Sequence, residues 1–332
     1  MLLIAGLLAF YLAWNLGAND VANSMATSVG SKAVTLGQAL VIAATLEFSG
    51  ALVFGQTVSQ KLATGVIDVS QFAAIPTVFV SGMLAVLLAS GLWMNLATWF
   101  GLPASSSHAV VGAIAGFGLV SLGAEAVQWS SLGLISLAWV LTPLLSGAIA
   151  AFLYFCALKL PDTIPFGQLQ VLSACGVAFA HGSNDVGNAI APFAAILAVI
   201  KTGEIPIDNL PIPLWVLAIG GLGIVGGLAV WGKKVILTVG EGLIALEPKG
   251  GFCAELSTAI AVLLATFGGL PVSTSHALVG AVVGIGLVQG KVQWEKVKTI
   301  GLTWVMTIPM TIGLSAGLTW LILHRAALSA IA

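Results

Sequence analysis

The chain repeats its own motifs, in the same order, in its two halves. The element Gly-Ala-Asn-Asp-Val-Ala-Asn at 17–23 returns as Gly-Ser-Asn-Asp-Val-Gly-Asn at 182–188. The element Gly-Leu-Pro-Ala-Ser-Ser-Ser-His at 101–108 returns as Gly-Leu-Pro-Val-Ser-Thr-Ser-His at 269–276. Self-similarity over so much of a chain is the signature of an architecture made from copies of one unit. We therefore expect two homologous halves, residues 1–160 and 161–332, that form one integral unit.

The composition places these halves in a membrane. Hydrophobic residues make up 59% and charged residues 7% of the chain, and the mean hydropathy is +1.10. Soluble domains carry about 25% charged residues, and an apolar segment of about 20 residues spans the hydrocarbon core. We therefore predict a multi-pass integral membrane protein, and the net charge of −1 argues against a nucleic-acid partner. The predicted membrane segments are Leu2–Met25, Leu36–Lys61, Ala74–Trp99, Pro103–Leu122, Ser131–Leu158, Gln168–Ile200, Pro213–Trp231, Ala254–Phe267, Pro271–Val288 and Ile300–Leu323.

Several of these segments are too long or too short for a plain span. Gly and Pro interrupt them at corresponding places in the two halves. Interrupted segments in matching positions are typical of broken helices and re-entrant hairpins that line a binding site. We predict an all-α polytopic membrane protein with about ten to twelve membrane elements, including broken or re-entrant helices.

Four of the twelve acids lie inside apolar segments: Asp20, Glu47, Asp185 and Glu255. A charged side chain at the bilayer centre costs roughly 2.5–3.5 kcal/mol on insertion scales. No Lys or Arg shares the apolar segment around any of them, so they are protonated, paired across helices or facing bound cations. The repeat relates Asp20 to Asp185 and indicates two halves of one polar site, the alternative being that each caps a broken helix. It does not relate Glu47 to Glu255.

The second repeated element supplies the opposite chemistry. A proline followed by hydroxyl residues suits the start of a helix, where backbone N–H groups have no intrahelical acceptor. Such a helix start is an oxyanion cradle, and two of them could enclose one tetrahedral anion without an arginine. The alternative is simple capping of two helices. For His108, His181 and His276 a functional role and a packing role are equally open.

Carboxylates beside an anion cradle require cations. A doubly charged oxyanion next to two ionised aspartates is strongly repelled in a low-dielectric site, so cations must enter with it. This favours cation-coupled symport, with Na+ on the oxygens of Asp20, Asn23, Asp185 and Asn188, or with protons on the carboxylates. A carboxylate accepts a hydrogen bond from protonated phosphate but gains none from sulfate, so the site favours phosphate.

Together, the two Asn-Asp elements, the preceding His181 and the two Pro-x-Ser-x-Ser-His elements closely resemble the inorganic phosphate transporter (PiT) family of secondary carriers. The resemblance covers nearly the whole chain and implies an inverted-repeat fold in the plasma (cell inner) membrane. It also implies phosphate uptake coupled to Na+ or H+, a homodimer, and no cofactor beyond the co-transported ion. The substrate ligands it implies are Asp20, Ser106, Ser107, Asn184, Asp185, Thr274 and Ser275. The cation ligands it implies are Asn19, Asp20, Asn23, Glu47, Asp185, Asn188 and Glu255.

Other readings stay open at this point. A sulfate or metal-phosphate permease would share the fold. An intramembrane hydrolase assembled from Ser107, His108 and Asp20 is less favoured, because adjacent Ser and His do not by themselves give nucleophile–base geometry. An anion channel is less favoured too, because acids near a pore hinder anion conduction. We therefore expect a carrier, not an enzyme.

Overall fold

Helices make up nearly all of the computed structural model, which describes residues 1–161, 163–207, 210–240 and 247–331, without the side chains of 233–240 and 325–331. The described residues contain no strand beyond a single antiparallel bridge between Ile67 and Val127. This confirms the predicted all-α class. The helices are α1 Leu2–Gly30, α2 Leu36–Gly65, α3 Pro76–Trp99, α4 Ser106–Leu122, α5 Trp129–Ala157, α6 Phe166–Thr202, α7 Leu214–Gly240, α8 Pro248–Phe267, α9 Thr274–Gln289 and α10 Trp294–Ile331.

Eight of these helices are long and apolar enough to cross a membrane, and α4 and α9 are shorter. Each predicted segment overlaps one helix, which confirms a multi-pass membrane protein. The predicted start of α8 at Ala254 is six residues late, because Pro248 opens the helix at its first turn. The motif helices α1 and α6 run unbroken through both Asn-Asp elements.

The interruptions are the turns of two hairpins. In the first, α4 ends beside the start of α3: Asp68 N donates to Ala126 O at 2.7 Å, and Gln71 Nε2 donates to Glu125 O at 3.1 Å. The chain therefore enters and leaves on one side, and it reverses at Gly101, whose φ of +68° favours glycine. Helices α8 and α9 form the second hairpin, with Gly269 at the matching place (φ +67°).

The two hairpins open to opposite sides of the molecule. The end of α1 meets the start of α6, where Ser31 Oγ donates to Gln170 Oε1 at 2.7 Å. The end of α9 meets the end of α5, where Gln289 Nε2 donates to Tyr154 OH at 2.7 Å. Each half thus has three long helices and one hairpin that joins a longer to a shorter helix, and the second half starts from the opposite side. This is the inverted repeat.

The halves interlock. Helix α1 packs on α7, α2 on α6, α4 on α10 and α5 on α9. At two of these crossings a glycine lets the backbones touch: a Cβ on Gly17 would overlap the backbone of Ile224, and one on Gly182 would overlap the backbone of Glu47. Small residues at crossings are the usual means of close helix packing in membranes. The division at residue 160 stays a prediction.

Candidate substrate and cation site

The tips of the two hairpins meet inside the molecule. Ser105 Oγ accepts from His108 N at 3.3 Å and caps α4, and Ser273 Oγ accepts from His276 N at 3.3 Å and caps α9. The imidazole centroids of His108 and His276 are 4.7 Å apart. Because each cap occupies one N–H of the first turn, the N–H groups at the following hydroxyl residues keep no intrahelical acceptor. Two helix N-termini therefore converge from opposite halves, as the sequence predicts.

The two aspartates lie on the helices that pass these tips. Asp20 Oδ1 accepts from Asn23 Nδ2 at 3.2 Å, and Asp185 Oδ1 accepts from Asn188 Nδ2 at 3.2 Å. The spacing of three residues puts each pair on one helix face. Asp20 is 1% exposed and Asp185 is fully buried, and a carboxylate oxygen of each lies within 4.8 Å of the other and of His181. The structure brings the predicted pair of acids together.

Each motif also reaches the hairpin of the other half. Asn23 Nδ2 approaches Thr274 Oγ1 at 3.4 Å, and Asn188 Nδ2 approaches Ser106 Oγ at 3.5 Å. All four side chains are buried. The site is therefore composite, since neither half contains a complete set of its polar groups.

The first asparagine of each motif fixes the hairpin of its own half. Asn19 Nδ2 donates to Thr98 Oγ1 at 3.0 Å, and Asn184 Nδ2 donates to Thr266 Oγ1 at 2.9 Å. The same amides donate to backbone carbonyls in the turns, Leu102 O at 3.3 Å and Leu270 O at 3.1 Å. Their amide nitrogens are thus occupied by the protein, and any ligand role falls to the oxygens.

Glu47 joins the site through His181. His181 Nδ1 lies 3.1 Å from Glu47 Oε1, and His181 Nε2 lies 2.6 Å from Asp185 Oδ2. Ser24 Oγ also donates to Glu47 Oε1 at 3.0 Å. A protonated imidazole between two carboxylates compensates part of their charge inside the protein. Of the predicted cation ligands, Glu47 and Asp185 are therefore the two that contact this imidazole.

Glu255 lies apart from this cluster, in the first half of α8 and beside the end of α1. Its Oε1 accepts from Thr27 and Ser28, each at 2.6 Å, and from Gln170 Nε2 at 3.2 Å, while Oε2 accepts from Ser173 at 2.7 Å. Both oxygens are satisfied by neutral donors from α1 and α6. The geometry joins three helices, and the predicted cation role of Glu255 stays a prediction.

The hydroxyl and imidazole of the hairpin tips are not arranged as nucleophile and base. Ser107 Oγ contacts Ser105 Oγ at 3.2 Å, and His108 Nδ1 contacts Trp304 O at 3.1 Å. His276 Nδ1 contacts Trp139 O at 3.2 Å in the same way. These two imidazoles tie the tips to α10 and α5.

Four oxygens of the site are buried without a hydrogen bond from the described residues: Asp20 Oδ2, Glu47 Oε2, Asp185 Oδ2 and Asn188 Oδ1. Of these, Asp185 Oδ2 has the ion-pair contact with His181. Carboxylate and amide oxygens are the ligands that hard cations prefer. A cavity of about 20 Å³, room for one water molecule, borders the site beside Asn19 and Asn23. The side chains of both aspartates and of Asn23 and Asn188 are buried in this conformation.

Sequence reasoning underrated some of these residues. His181 stood as an open choice, yet it makes ion-pair contacts with both Glu47 and Asp185. Its spacing of four residues from Asp185 on a helix is the signal that could have paired them. The donors to Glu255 carry no such signal, because they lie far from it in sequence.

Comparisons with known proteins give the family of the chain. The model of the phosphate transporter family matches twice, over residues 16–164 and 160–315. An inorganic phosphate transporter of the Arabidopsis thaliana chloroplast is 35% identical, over 95% of this chain and 71% of its own length. A protein of Thermococcus kodakarensis, named as a candidate phosphate permease, is 36% identical over 95% of this chain and 96% of its own length.

A solved structure entitled "The sodium-dependent phosphate transporter" superposes with a TM-score of 0.90 at 35% identity. The match covers 97% of this chain and 98% of that one. These relatives are transporters, which excludes the hydrolase considered above. The chain belongs to the phosphate transporter family.

Proposed function

We propose that the protein is a secondary active transporter that moves inorganic phosphate across the membrane by symport with Na+. The observation that carries the proposal is the composite site, in which two hydroxyl-bearing helix N-termini from opposite halves meet two buried aspartates. A cradle for an anion and ligands for a cation thus share one location. Family membership supports phosphate as the anion.

The hairpin tips are the phosphate side of the site. Ser106, Ser107, Thr274 and Ser275 offer hydroxyl donors at the first turns of α4 and α9, beside N–H groups that have no intrahelical acceptor. Helix N-termini also carry a partial positive charge. A tetrahedral anion held by four such residues needs no lysine or arginine, which leaves the anion free to depart once the site opens.

The aspartates are the cation side. Two carboxylates with oxygens within 4.8 Å of each other repel an incoming phosphate, and a bound cation turns that repulsion into attraction. Asp20 Oδ2 and Asn188 Oδ1 are buried oxygens that no described group satisfies, so they suit a desolvated Na+. Bound Na+ therefore raises the affinity of the site for phosphate, and bound phosphate raises its affinity for Na+. This mutual effect is the basis of coupling.

The inverted hairpins provide the alternation of access. One hairpin opens toward each side of the molecule, and their tips close the site between them. Movement of one tip exposes the site to one side while the other stays shut. We propose Na+ as the coupling ion because the solved relative is entitled sodium-dependent and because the free ligands are oxygens.

Uptake of radiolabelled phosphate into proteoliposomes tests the proposal. We expect an inward Na+ gradient to drive accumulation, and a pH gradient without Na+ to drive none. Excess sulfate should leave the uptake unchanged. Uptake under the pH gradient alone would make H+ the coupling ion, and full competition by sulfate would make the protein a sulfate permease.

Variants of the aspartates locate the coupling. Asp20→Asn and Asp185→Asn should each abolish gradient-driven uptake, because each changes a buried carboxylate of the composite site. Both keep the side-chain size, so elution as a single species in detergent is the control for folding. Wild-type rates in either variant would contradict the paired site.

We further propose that the carrier is a homodimer in the plasma membrane, built from repeats 1–160 and 161–332. Light scattering of the purified protein in detergent, corrected for bound detergent, measures the mass of the complex. A mass of about 34 kDa, that of one chain, would contradict the dimer.

A further inference from the structure

The two motif aspartates are equivalent in sequence but unequal in surroundings. Each accepts one hydrogen bond from the asparagine three residues on, at 3.2 Å. The second oxygen differs: neither Asp20 Oδ2 nor Asp185 Oδ2 accepts a hydrogen bond from the described residues, but Asp185 Oδ2 lies 2.6 Å from His181 Nε2, and no such ion-pair contact is found for Asp20 Oδ2 among them. The residue that the repeat places opposite His181 is Leu16, which offers no polar atom.

His181 is itself held in place. Its other ring nitrogen, Nδ1, lies 3.1 Å from Glu47 Oε1, and both residues are fully buried. Gly182 allows this contact, since α6 rests directly on the backbone of Glu47 at that crossing. Ser24 Oγ donates to the same Glu47 oxygen at 3.0 Å. The imidazole therefore has no room to swing away from Asp185 without losing a second contact.

A cation that used Asp185 Oδ2 would have to displace this imidazole. A cation that used Asp20 Oδ2 would displace nothing, and it would satisfy an oxygen that is otherwise left without a partner. Glu47 in turn has no acidic counterpart in the second half. The pair His181 and Glu47 therefore blocks Asp185, and no equivalent pair among the described residues blocks Asp20.

We propose that His181, positioned by Glu47, makes the two aspartates unequal, so that the coupling cation binds first at Asp20 and Asp185 Oδ2 is withheld from it. His181 is then a positioning residue that sets the number and order of bound cations. The inference rests on the proposed function and deepens it, because it distinguishes two residues that the repeat alone makes identical.

Equilibrium binding of radioactive Na+ to the purified protein, without phosphate, tests this inference apart from transport. We expect Asp20→Asn to weaken Na+ binding at least about tenfold and Asp185→Asn to weaken it less than about threefold. His181→Leu, which gives the second half the residue type of the first, should add about one Na+ per chain by freeing Asp185 Oδ2.

His181→Gln is the matched control, since its amide N–H can still donate to Asp185 and should restore the wild-type number of bound ions. A merely structural role for His181 would lower the folded yield of both variants without changing that number. Equal weakening by Asp20→Asn and Asp185→Asn, an unchanged count in His181→Leu, or no Na+ binding to the wild type would each overturn the inference. Phosphate uptake by the wild type, measured in parallel, reports separately on the proposed function.

Discussion

The two hairpins have nearly the same sequence at their tips but are held differently. Trp139 Nε1 donates to Pro271 O at 2.9 Å, and Val272 N donates to Asn184 Oδ1 at 3.2 Å, so the second tip is tied to α5 and α6. At the first tip, the corresponding indole N–H, that of Trp304, is buried without a partner in the described structure.

The backbone of the first tip also forms a hydrogen bond within the tip itself. Ala104 N donates to Leu102 O at 2.9 Å, whereas its counterpart in the second tip donates to an asparagine of α6. The cavity of about 20 Å³ lies beside this first tip, lined by Gly101, Leu102 and Pro103 among others. The difference shows that an inverted repeat fixes which residues meet but leaves each half free to adopt its own state. A carrier with alternating access needs that freedom.

The largest effect is expected where the halves are alike, at the glycine crossings. In Gly17→Leu the new side chain would overlap the backbone of Ile224, and in Gly182→Leu it would overlap that of Glu47. Overpacking costs roughly 1–3 kcal/mol where the neighbouring side chains can adjust. The cost is larger here because the neighbouring atoms belong to the backbone, which cannot move aside. We expect both variants to lose the folded species in detergent chromatography. A folded protein in one variant only would show that the two crossings are not equivalent. Gly37→Leu, where nothing lies within 4 Å of a Cβ, is the control.

A smaller effect is expected at Glu255, which has no acidic counterpart in the first half. Glu255→Ala leaves the donors on Thr27, Ser28 and Ser173 without their acceptor, and each unsatisfied buried group costs about 1–3 kcal/mol. We expect destabilisation of about 2 kcal/mol or more, measured by thermal unfolding in detergent.

Glu255→Gln separates the structural role from the predicted cation role. It keeps one acceptor oxygen, so its loss of stability should be about half that of Glu255→Ala. If Glu255 serves only to join α1, α6 and α8, the Na+ dependence of uptake should stay as in the wild type. A change in Na+ dependence at nearly normal stability would support the cation role instead.

The sequence predicted those site residues that are repeated in both halves. Asp20 and Asp185, with their asparagines and the hydroxyls of both tips, are repeated, so the repeat itself indicated that they meet. Glu47 could not be placed in this way, because its contact with His181 depends on which helices cross. That crossing is fixed by close backbone packing at Gly182, which the sequence shows only as a glycine.

The different hydrogen bonding of the two tips could not be predicted from the sequence. The tryptophans and prolines concerned are the same in both halves, so no residue type marks Trp139 as bonded and Trp304 as unbonded. The asymmetry belongs to the conformation. Asn19 and Asn184 show the same limit, since both were predicted as ligands and both were found with their amide nitrogens on the hairpin turns.

The smallest effect is expected from paired substitutions of these tryptophans. Trp139→Phe removes one hydrogen bond and leaves Pro271 O without its donor, whereas Trp304→Phe removes a donor that has no partner. Both lose a similar volume, and the pair compares a bonded indole N–H on a buried ring with an unbonded one on a half-buried ring. We expect Trp139→Phe to be less stable than Trp304→Phe by about 1 kcal/mol in thermal unfolding. Equal stabilities would mean that the indole bond to Pro271 adds nothing, and that the two tips are held equally firmly. The reverse order would mean that the first tip is the more firmly held of the two.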